Sequence, residues 1–213
     1  MNHHALLRSV QQNYPSSSDS DRVAATMATL FFPDNTVLIN FGYLRRMDLL
    51  KRLAKNPAWC GTVAIECQES STFPDLEDLT QARSIFGEPL RPESPVEHQL
   101  VEIYRQKLAA PGDPKHKNLG EAETVAIITN RSFEAIFVSD DRGAADLVST
   151  RSPTDAPIRV ITTWELLRVA RRVQFIDEDT LWSYVQVLEK YRRHQPPFPA
   201  ARSREDFKKW LAG

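Results

Sequence analysis

The amino-acid sequence predicts an α/β fold in which helices cover a mostly parallel central sheet. Three short apolar segments are predicted to be strands, and helix-forming sequence follows each of them: Ala28–Phe32, Ala135–Val138 and Ile158–Ile161. This alternation of strands and helices is typical of parallel sheets, in which sites gather at the carboxyl ends of the strands. We therefore look for functional residues directly after each predicted strand.

The first predicted strand ends at Pro33, and Asp34 follows at its carboxyl end. Residues 36–41 are rich in β-branched side chains, which favours a strand, and their position just after Pro33 and Asp34 makes a short helix nearly as well supported. Residues 59–63 are predicted to form a brief additional strand.

Helices are predicted where apolar residues recur at a spacing of three or four. They cover residues 47–53, 64–69, 79–86, 96–109, 120–129, 143–148, 165–173, 179–193 and 205–211. Thr163 is predicted to cap the helix that includes residues 165–173. Residues 1–25 are polar and Ser-rich, which predicts an N-terminal arm.

The composition is that of an ordinary globular chain. Its 213 residues include 27 Lys and Arg against 28 Asp and Glu, a net charge of −1. This balance excludes a protein that holds nucleic acid by bulk positive charge, but it does not exclude local contacts with nucleic acid. The sequence shows no long apolar run, no signal-peptide pattern and only two cysteines, so we expect a cytoplasmic protein without a membrane segment.

Acidic residues cluster around the carboxyl ends of the predicted strands. They are Asp34, Glu66, Glu69, Glu121, Glu123, Asp140 and Asp141. Carboxylates that meet at one sheet edge repel one another, and a divalent cation with oxygen ligands such as Mg²⁺ removes that repulsion. Such an ion can promote hydrolysis of a phosphodiester. The pattern therefore predicts a metal-dependent hydrolytic site.

Two segments of the chain resemble PIN-domain nucleases, the fold of the VapC-type toxin ribonucleases of toxin–antitoxin pairs. They read PDNTVLINFGYLRRMDLLKRL and LGEAETVAIITNRSFEAIFVSDDRGAADLV, within a resemblance that covers roughly residues 28–165. The resemblance implies a PIN-like three-layer α/β/α sandwich over residues 26–165, and residues 166–213 would form a C-terminal helical extension.

The resemblance also implies roles for individual residues. Asp34 stands at the acid after the first strand, and Asn40 stands at a supporting polar position. Glu121 matches the acid that leads a helix with a small apolar residue, Ala126, five positions on. Glu123 remains a close alternative to Glu121.

The remaining positions follow the later strand and the second helix. Ser139-Asp140-Asp141 fits the motif that ends the site, with Asp141 at the metal position and Asp140 beside it. Glu66 is the choice for the remaining acid, and Glu69 is the alternative. The resemblance thus implies a Mg²⁺ or Mn²⁺ ion held by Asp34, Glu121 and Asp141, assisted by Glu66 and Asp140.

Each acid also has a purely structural interpretation. Asp34 could serve only as the N-cap of the following helix. Glu121 and Glu123 could be first-turn acids favoured by the helix dipole. Asp140 and Asp141 could form a turn that ends in a helix cap.

The favoured function is a Mg²⁺- or Mn²⁺-dependent endoribonuclease. The resemblance implies RNA as the substrate and a small antitoxin protein as the partner. Aromatic residues in the C-terminal helices could form a partner groove or a homodimer surface, or they could equally cover the sheet. One alternative is a PIN-like module that binds RNA or a protein without cleaving. Another is a phosphohydrolase of small phosphate esters, which the lack of a Gly-rich phosphate loop disfavours.

Overall fold

The computed structural model describes residues 28–114, 116–152, 154–197 and 200–213. The predicted N-terminal arm, residues 1–25, lies outside the described residues. The described strands are β1 (Leu30–Pro33), β2 (Ala135–Val138) and β3 (Ile158–Ile161). The described α-helices are α1 (Asn35–Tyr43), α2 (Met47–Leu53), α3 (Gly61–Ser70), α4 (Ala82–Phe86), α5 (Pro95–Leu108), α6 (Leu119–Asn130), α7 (Arg142–Ser149), α8 (Thr163–Arg172), α9 (Glu178–Lys190) and α10 (Arg204–Ala212), and a 3₁₀-helix (Glu77–Gln81) precedes α4.

The three strands form one parallel sheet in the order β1-β2-β3. Pro33, Val138 and Ile161 lie side by side at the carboxyl ends of the strands. The ladder continues one residue further, because the Asp34 amide donates to the Val138 carbonyl at 2.8 Å and the Ser139 amide donates to the Ile161 carbonyl at 2.9 Å. The predicted parallel α/β fold is therefore confirmed, and its carboxyl edge includes Asp34.

Alternating strand residues enter two separate apolar clusters, as the two faces of a sheet require. Phe31 and Val138 belong to a cluster with α1, α2, α3, α8, α9 and α10. Phe32 and Phe137 belong to a second cluster with α5, α6 and α7. Helices therefore pack on both faces of the sheet, an arrangement consistent with a three-layer α/β/α fold.

The helices beyond residue 165 contribute to the first of these clusters. Leu181 and Phe207 are fully buried in it together with Leu38 of α1. The region predicted as a C-terminal extension thus shares its core with the first half of the chain. No helix among the described residues is long and apolar enough to cross a membrane.

Three local predictions are resolved or corrected by the structure. The strand slightly favoured at residues 36–41 is wrong, and the helical alternative is right, because these residues lie within α1. The brief strand predicted at 59–63 is wrong, because α3 begins at Gly61 and Cys60 forms only an isolated bridge with Leu90. Thr162, and not Thr163, caps α8: its hydroxyl accepts from the Glu165 amide at 3.2 Å, and the Glu165 carboxylate accepts from the Thr162 amide at 2.8 Å.

Candidate functional site

Asp34 lies at the junction of β1 and α1, where the sheet edge meets the first turn of the helix. Its backbone is extended, and its Oδ2 accepts hydrogen bonds from the Thr36 amide at 3.2 Å and from the Thr36 hydroxyl. The side chain is therefore the N-cap of α1, as its structural interpretation predicts. Asp34 is also only 3% exposed. Burial raises the pKa of its carboxyl group, and the charge of Asp140 raises it further, although the bonds with Thr36 oppose this.

Glu66 of α3 and Glu121 of α6 reach the same region from two different helices. A Cβ added to Gly120 would lie 3.4 Å from Glu66 Oε2 and 3.1 Å from a methyl carbon of Val63, so the Glu66 carboxylate lies directly against the start of α6. Gly120 therefore lets these two helices approach closely enough for their acids to interact.

The pKa values show that these acids share one electrostatic environment. Burial, followed by the charge of Asp34, raises the pKa of Glu66 to about 7 and that of Glu121 to about 8. Asp141 and Glu66 add to the effect on Glu121. Within the described part of the chain, none of Asp34, Glu66 and Glu121 forms a salt bridge. The negative charge of this group is therefore not offset by a bound basic side chain of the described residues.

The two alternative glutamates occupy different environments. Glu69 is exposed, although its charge contributes to the raised pKa of Glu66. Glu123 is 7% exposed, and its carboxylate accepts from the amides of Gly61 at 3.1 Å and Thr62 at 3.3 Å and from the Thr62 hydroxyl. Glu123 thus caps α3 from a neighbouring helix. Its hydrogen bonds make it a weaker candidate for a metal ligand than Glu121.

Asp140 is held firmly at the carboxyl edge of the sheet. Its Oδ1 accepts from the Thr163 amide at 2.8 Å, and its Oδ2 accepts from the Thr163 hydroxyl at 2.7 Å and from Asn40 Nδ2 at 2.8 Å. Asn40 and Thr163 are both buried, with 1% and 0% exposure. These three hydrogen bonds hold the Asp140 carboxylate in one position, from which its charge acts on Asp34.

Sequence reasoning missed the contact between Thr163 and Asp140. Thr163 is the first residue of α8, 23 positions after Asp140, and it was predicted only as a helix cap. The available signal was its position directly after Thr162, which follows the last strand. A polar side chain at the start of the helix that follows the last strand faces the same sheet edge as Asp140.

Asp141 lies at the exposed rim of the group. Its carboxylate accepts from the Gly143 amide at 2.8 Å and so caps α7, which agrees with the structural interpretation of this motif. Its charge still contributes to the raised pKa of Glu121. Asp141 is therefore near enough to interact with the buried acids while remaining open to solvent.

These residues supply hard oxygen donors of the kind that Mg²⁺ and Mn²⁺ prefer. No three His, Cys, Asp or Glu side chains of residues 28–114, 116–152, 154–197 and 200–213 stand together in a group that could hold a metal ion. Like charges keep apart, so binding of a cation would require side chains such as Glu66 and Glu121 to turn toward a common point. The chemistry of the donor set fits a divalent cation, and the side-chain positions require adjustment.

Comparison of the chain with protein-family models, curated proteins and solved structures finds no match. The grounds for a function are therefore the geometry of this acidic edge and the resemblance of the two sequence segments.

Proposed function

We propose that the protein is a Mg²⁺- or Mn²⁺-dependent endoribonuclease with a PIN-like fold. The observation that carries the proposal is the convergence of Asp34, Glu66 and Glu121 from three different elements: the charge of Asp34 raises the pKa of both glutamates, and the charge of Glu66 adds to the effect on Glu121. Such an arrangement disfavours the folded state unless a cation or protons compensate it, and it is typical of functional sites. Asp34, Glu121 and Asp141 would hold the metal.

The cation would supply positive charge that offsets the charge developing on the phosphate during hydrolysis. Glu66, whose pKa is raised to about 7, is suited to accept a proton from an attacking water near neutral pH. Asp140 has both oxygens occupied by hydrogen bonds. It would therefore assist as a fixed negative charge that favours the bound cation.

The proposed biological setting follows the sequence resemblance. The protein would act in the cytoplasm as the toxin of a toxin–antitoxin pair, with RNA as its substrate and a small antitoxin protein as its partner. A homodimer formed through the C-terminal helices is part of the same proposal.

A PIN-like module that binds RNA or a protein without cleavage is the second candidate. The observation that favours it is that no three acidic or other ligating side chains of the described residues form a ready metal group. In a module of this kind, the acids would serve as helix caps and as a negative surface.

Cleavage of labelled RNA by the wild type and by Asp34→Asn separates the candidates. Asn is as good an N-cap as Asp, so the variant should keep α1 intact. Asp146→Asn is the matched control, because Asp146 is an exposed acid of α7. We expect the wild type and the control to cleave with Mg²⁺ or Mn²⁺ and not with EDTA, and we expect Asp34→Asn to be inactive.

Other outcomes reject the ribonuclease proposal. RNA binding without cleavage under any metal would favour the second candidate. Hydrolysis of small phosphate esters alone would indicate a phosphohydrolase. Equal cleavage by the wild type and Asp34→Asn would show that this acidic edge is not the active site.

A further inference from the structure

Arg193 connects the C-terminal part of the chain to the acidic edge. It follows α9, and its Nε donates to Asn40 Oδ1 at 2.8 Å. Its Nη2 also donates to the Thr36 carbonyl in the first turn of α1, at 3.2 Å. One guanidinium group therefore contacts both the helix that Asp34 caps and the buried amide that contacts Asp140.

The Arg193 contact fixes the orientation of the Asn40 amide. A guanidinium group can only donate hydrogen bonds, so the oxygen of Asn40 must face Arg193. The NH₂ group then points to the opposite side, where it donates to Asp140 Oδ2 at 2.8 Å and to the Thr163 hydroxyl at 3.0 Å. A flipped amide would place two oxygen acceptors against each other at Asp140.

The chain of hydrogen bonds has a donor-only group at one end and an acceptor-only group at the other. Arg193 donates to Asn40, Asn40 donates to Asp140, and Thr163 supports both Asn40 and Asp140. Every link joins segments that are far apart in sequence, and the central amide is 1% exposed. No water is needed to explain the orientation, because each polar atom of Asn40 has a protein partner.

We propose that Arg193 is a positioning residue of the acidic site: by fixing Asn40, it holds the Asp140 carboxylate in place beside Asp34 for binding of a divalent cation. This inference rests on the proposed metal-dependent function and adds a residue to it. Without Arg193, Asn40 Oδ1 loses its donor, so the amide is held from the Asp140 side alone and its hydrogen bond to Asp140 becomes less rigid. The carboxylate can then turn away from the position in which its charge favours the cation.

The test measures Mn²⁺ binding by calorimetry and the Asn40 side-chain NH₂ group by NMR in the full chain. Partners that orient metal-binding groups typically change metal affinity by about 10-fold to 100-fold when they are removed. We expect Arg193→Gln to weaken Mn²⁺ binding by about 10-fold and to speed hydrogen exchange of the Asn40 NH₂ group. Arg193→Lys keeps a donor-only cation and should recover most of the affinity.

Arg192→Gln is the matched control, because it removes the same charge from an exposed neighbouring residue. Mn²⁺ affinity and Asn40 exchange should stay at the wild-type level in this variant. Thermal denaturation of each variant shows whether it is folded. If Arg193→Gln does not fold, Arg193→Lys tests the proposal instead: near-wild-type Mn²⁺ affinity and slow exchange of the Asn40 NH₂ group in Arg193→Lys support it.

Three results would overturn the inference. Unchanged Mn²⁺ affinity in a folded Arg193→Gln, with tight binding by the wild type, rejects the role of Arg193 and leaves the proposed function intact. Slow Asn40 exchange in that variant rejects the orientation argument directly. Failure of the wild type to bind Mn²⁺ rejects the proposed function and this inference with it.

Discussion

Replacement of Glu121 by Gln is expected to stabilise the metal-free protein above neutral pH. Burial and the charges of Asp34, Asp141 and Glu66 raise the pKa of Glu121 from 4.5 to about 8. Gln resembles the protonated carboxyl group in shape and carries no charge. The variant therefore removes a repulsion that the wild type can relieve only by binding a proton or a cation.

The direction follows from proton linkage. Below pH 4.5 the carboxyl group is protonated in both the folded and the unfolded chain, so it makes no difference to stability. Between pH 4.5 and about 8 the unfolded chain loses the proton while the folded chain retains it, so the free energy of unfolding of the wild type falls as pH rises. Above about pH 8 the wild type has lost the full amount of unfolding free energy that this group can remove.

The magnitude follows from the size of the pKa change. At about 1.4 kcal/mol for each tenfold change in proton binding, a rise from 4.5 to about 8 corresponds to at most about 5 kcal/mol. Glu121 is only partly buried, and Glu66, whose charge contributes to the raised pKa of Glu121, itself has a pKa of about 7, so we expect about 2 kcal/mol at pH 8. For a chain of this length, that is a rise in melting temperature of about 4–8 °C.

Thermal denaturation followed by circular dichroism, in EDTA at pH 5 and pH 8, measures this effect. The control is Glu77→Gln, which makes the same change at an exposed acid of the 3₁₀-helix. The melting temperature of Glu121→Gln should exceed that of the wild type at pH 8, and this difference should be several times larger than the difference at pH 5. Added Mn²⁺ should stabilise the wild type more than the variant. A Glu121→Gln protein that melts at or below the wild-type temperature at pH 8 would refute the reasoning.

Two further predictions concern the supports of the fold and of the site. Glu97→Gln should lower the free energy of unfolding by about 3 kcal/mol in urea denaturation, because Glu97 is 1% exposed and pairs with Arg131 at 2.7 Å; a loss below about 1 kcal/mol would show that the pair does not stabilise the packing of α5 on α6. Gly120→Ala should weaken Mn²⁺ binding several-fold in calorimetry, since the new methyl group would lie 3.1 Å from a methyl carbon of Val63, closer than ordinary contact, and would push α3, which carries Glu66, away from α6. Wild-type affinity in Gly120→Ala would show that Glu66 does not need its present position.

The sequence predicted strands and helices most reliably where the local pattern was strong. The strands at 135–138 and 158–161 match the observed bounds, because each is a short apolar segment between turn-forming residues. The false strand at 59–63 arose where the local pattern was weak. There the Glu123 carboxylate caps the amides of Gly61 and Thr62 and starts α3, and that contact joins residues about 60 positions apart.

The choice between Glu121 and Glu123 shows the same limit within the site. Both residues lie in the first turns of one helix, and the sequence cannot say which points toward Asp34. Two residues apart on a helix, the side chains leave in nearly opposite directions. The packing of α3 against α6 decides that Glu123 caps α3 and that Glu121 joins the charge cluster.

The sequence by itself determined the α/β class, the parallel sheet and the positions of acids after its strands, because these depend on local apolar patterns and on chain order. Only the tertiary structure decided which acids interact and which polar groups hold them. The links from Arg193 to Asn40 and from Asn40 to Asp140 span 153 and 100 residues. Contacts over such separations depend on how the helices pack around the sheet, and no local pattern encodes that packing.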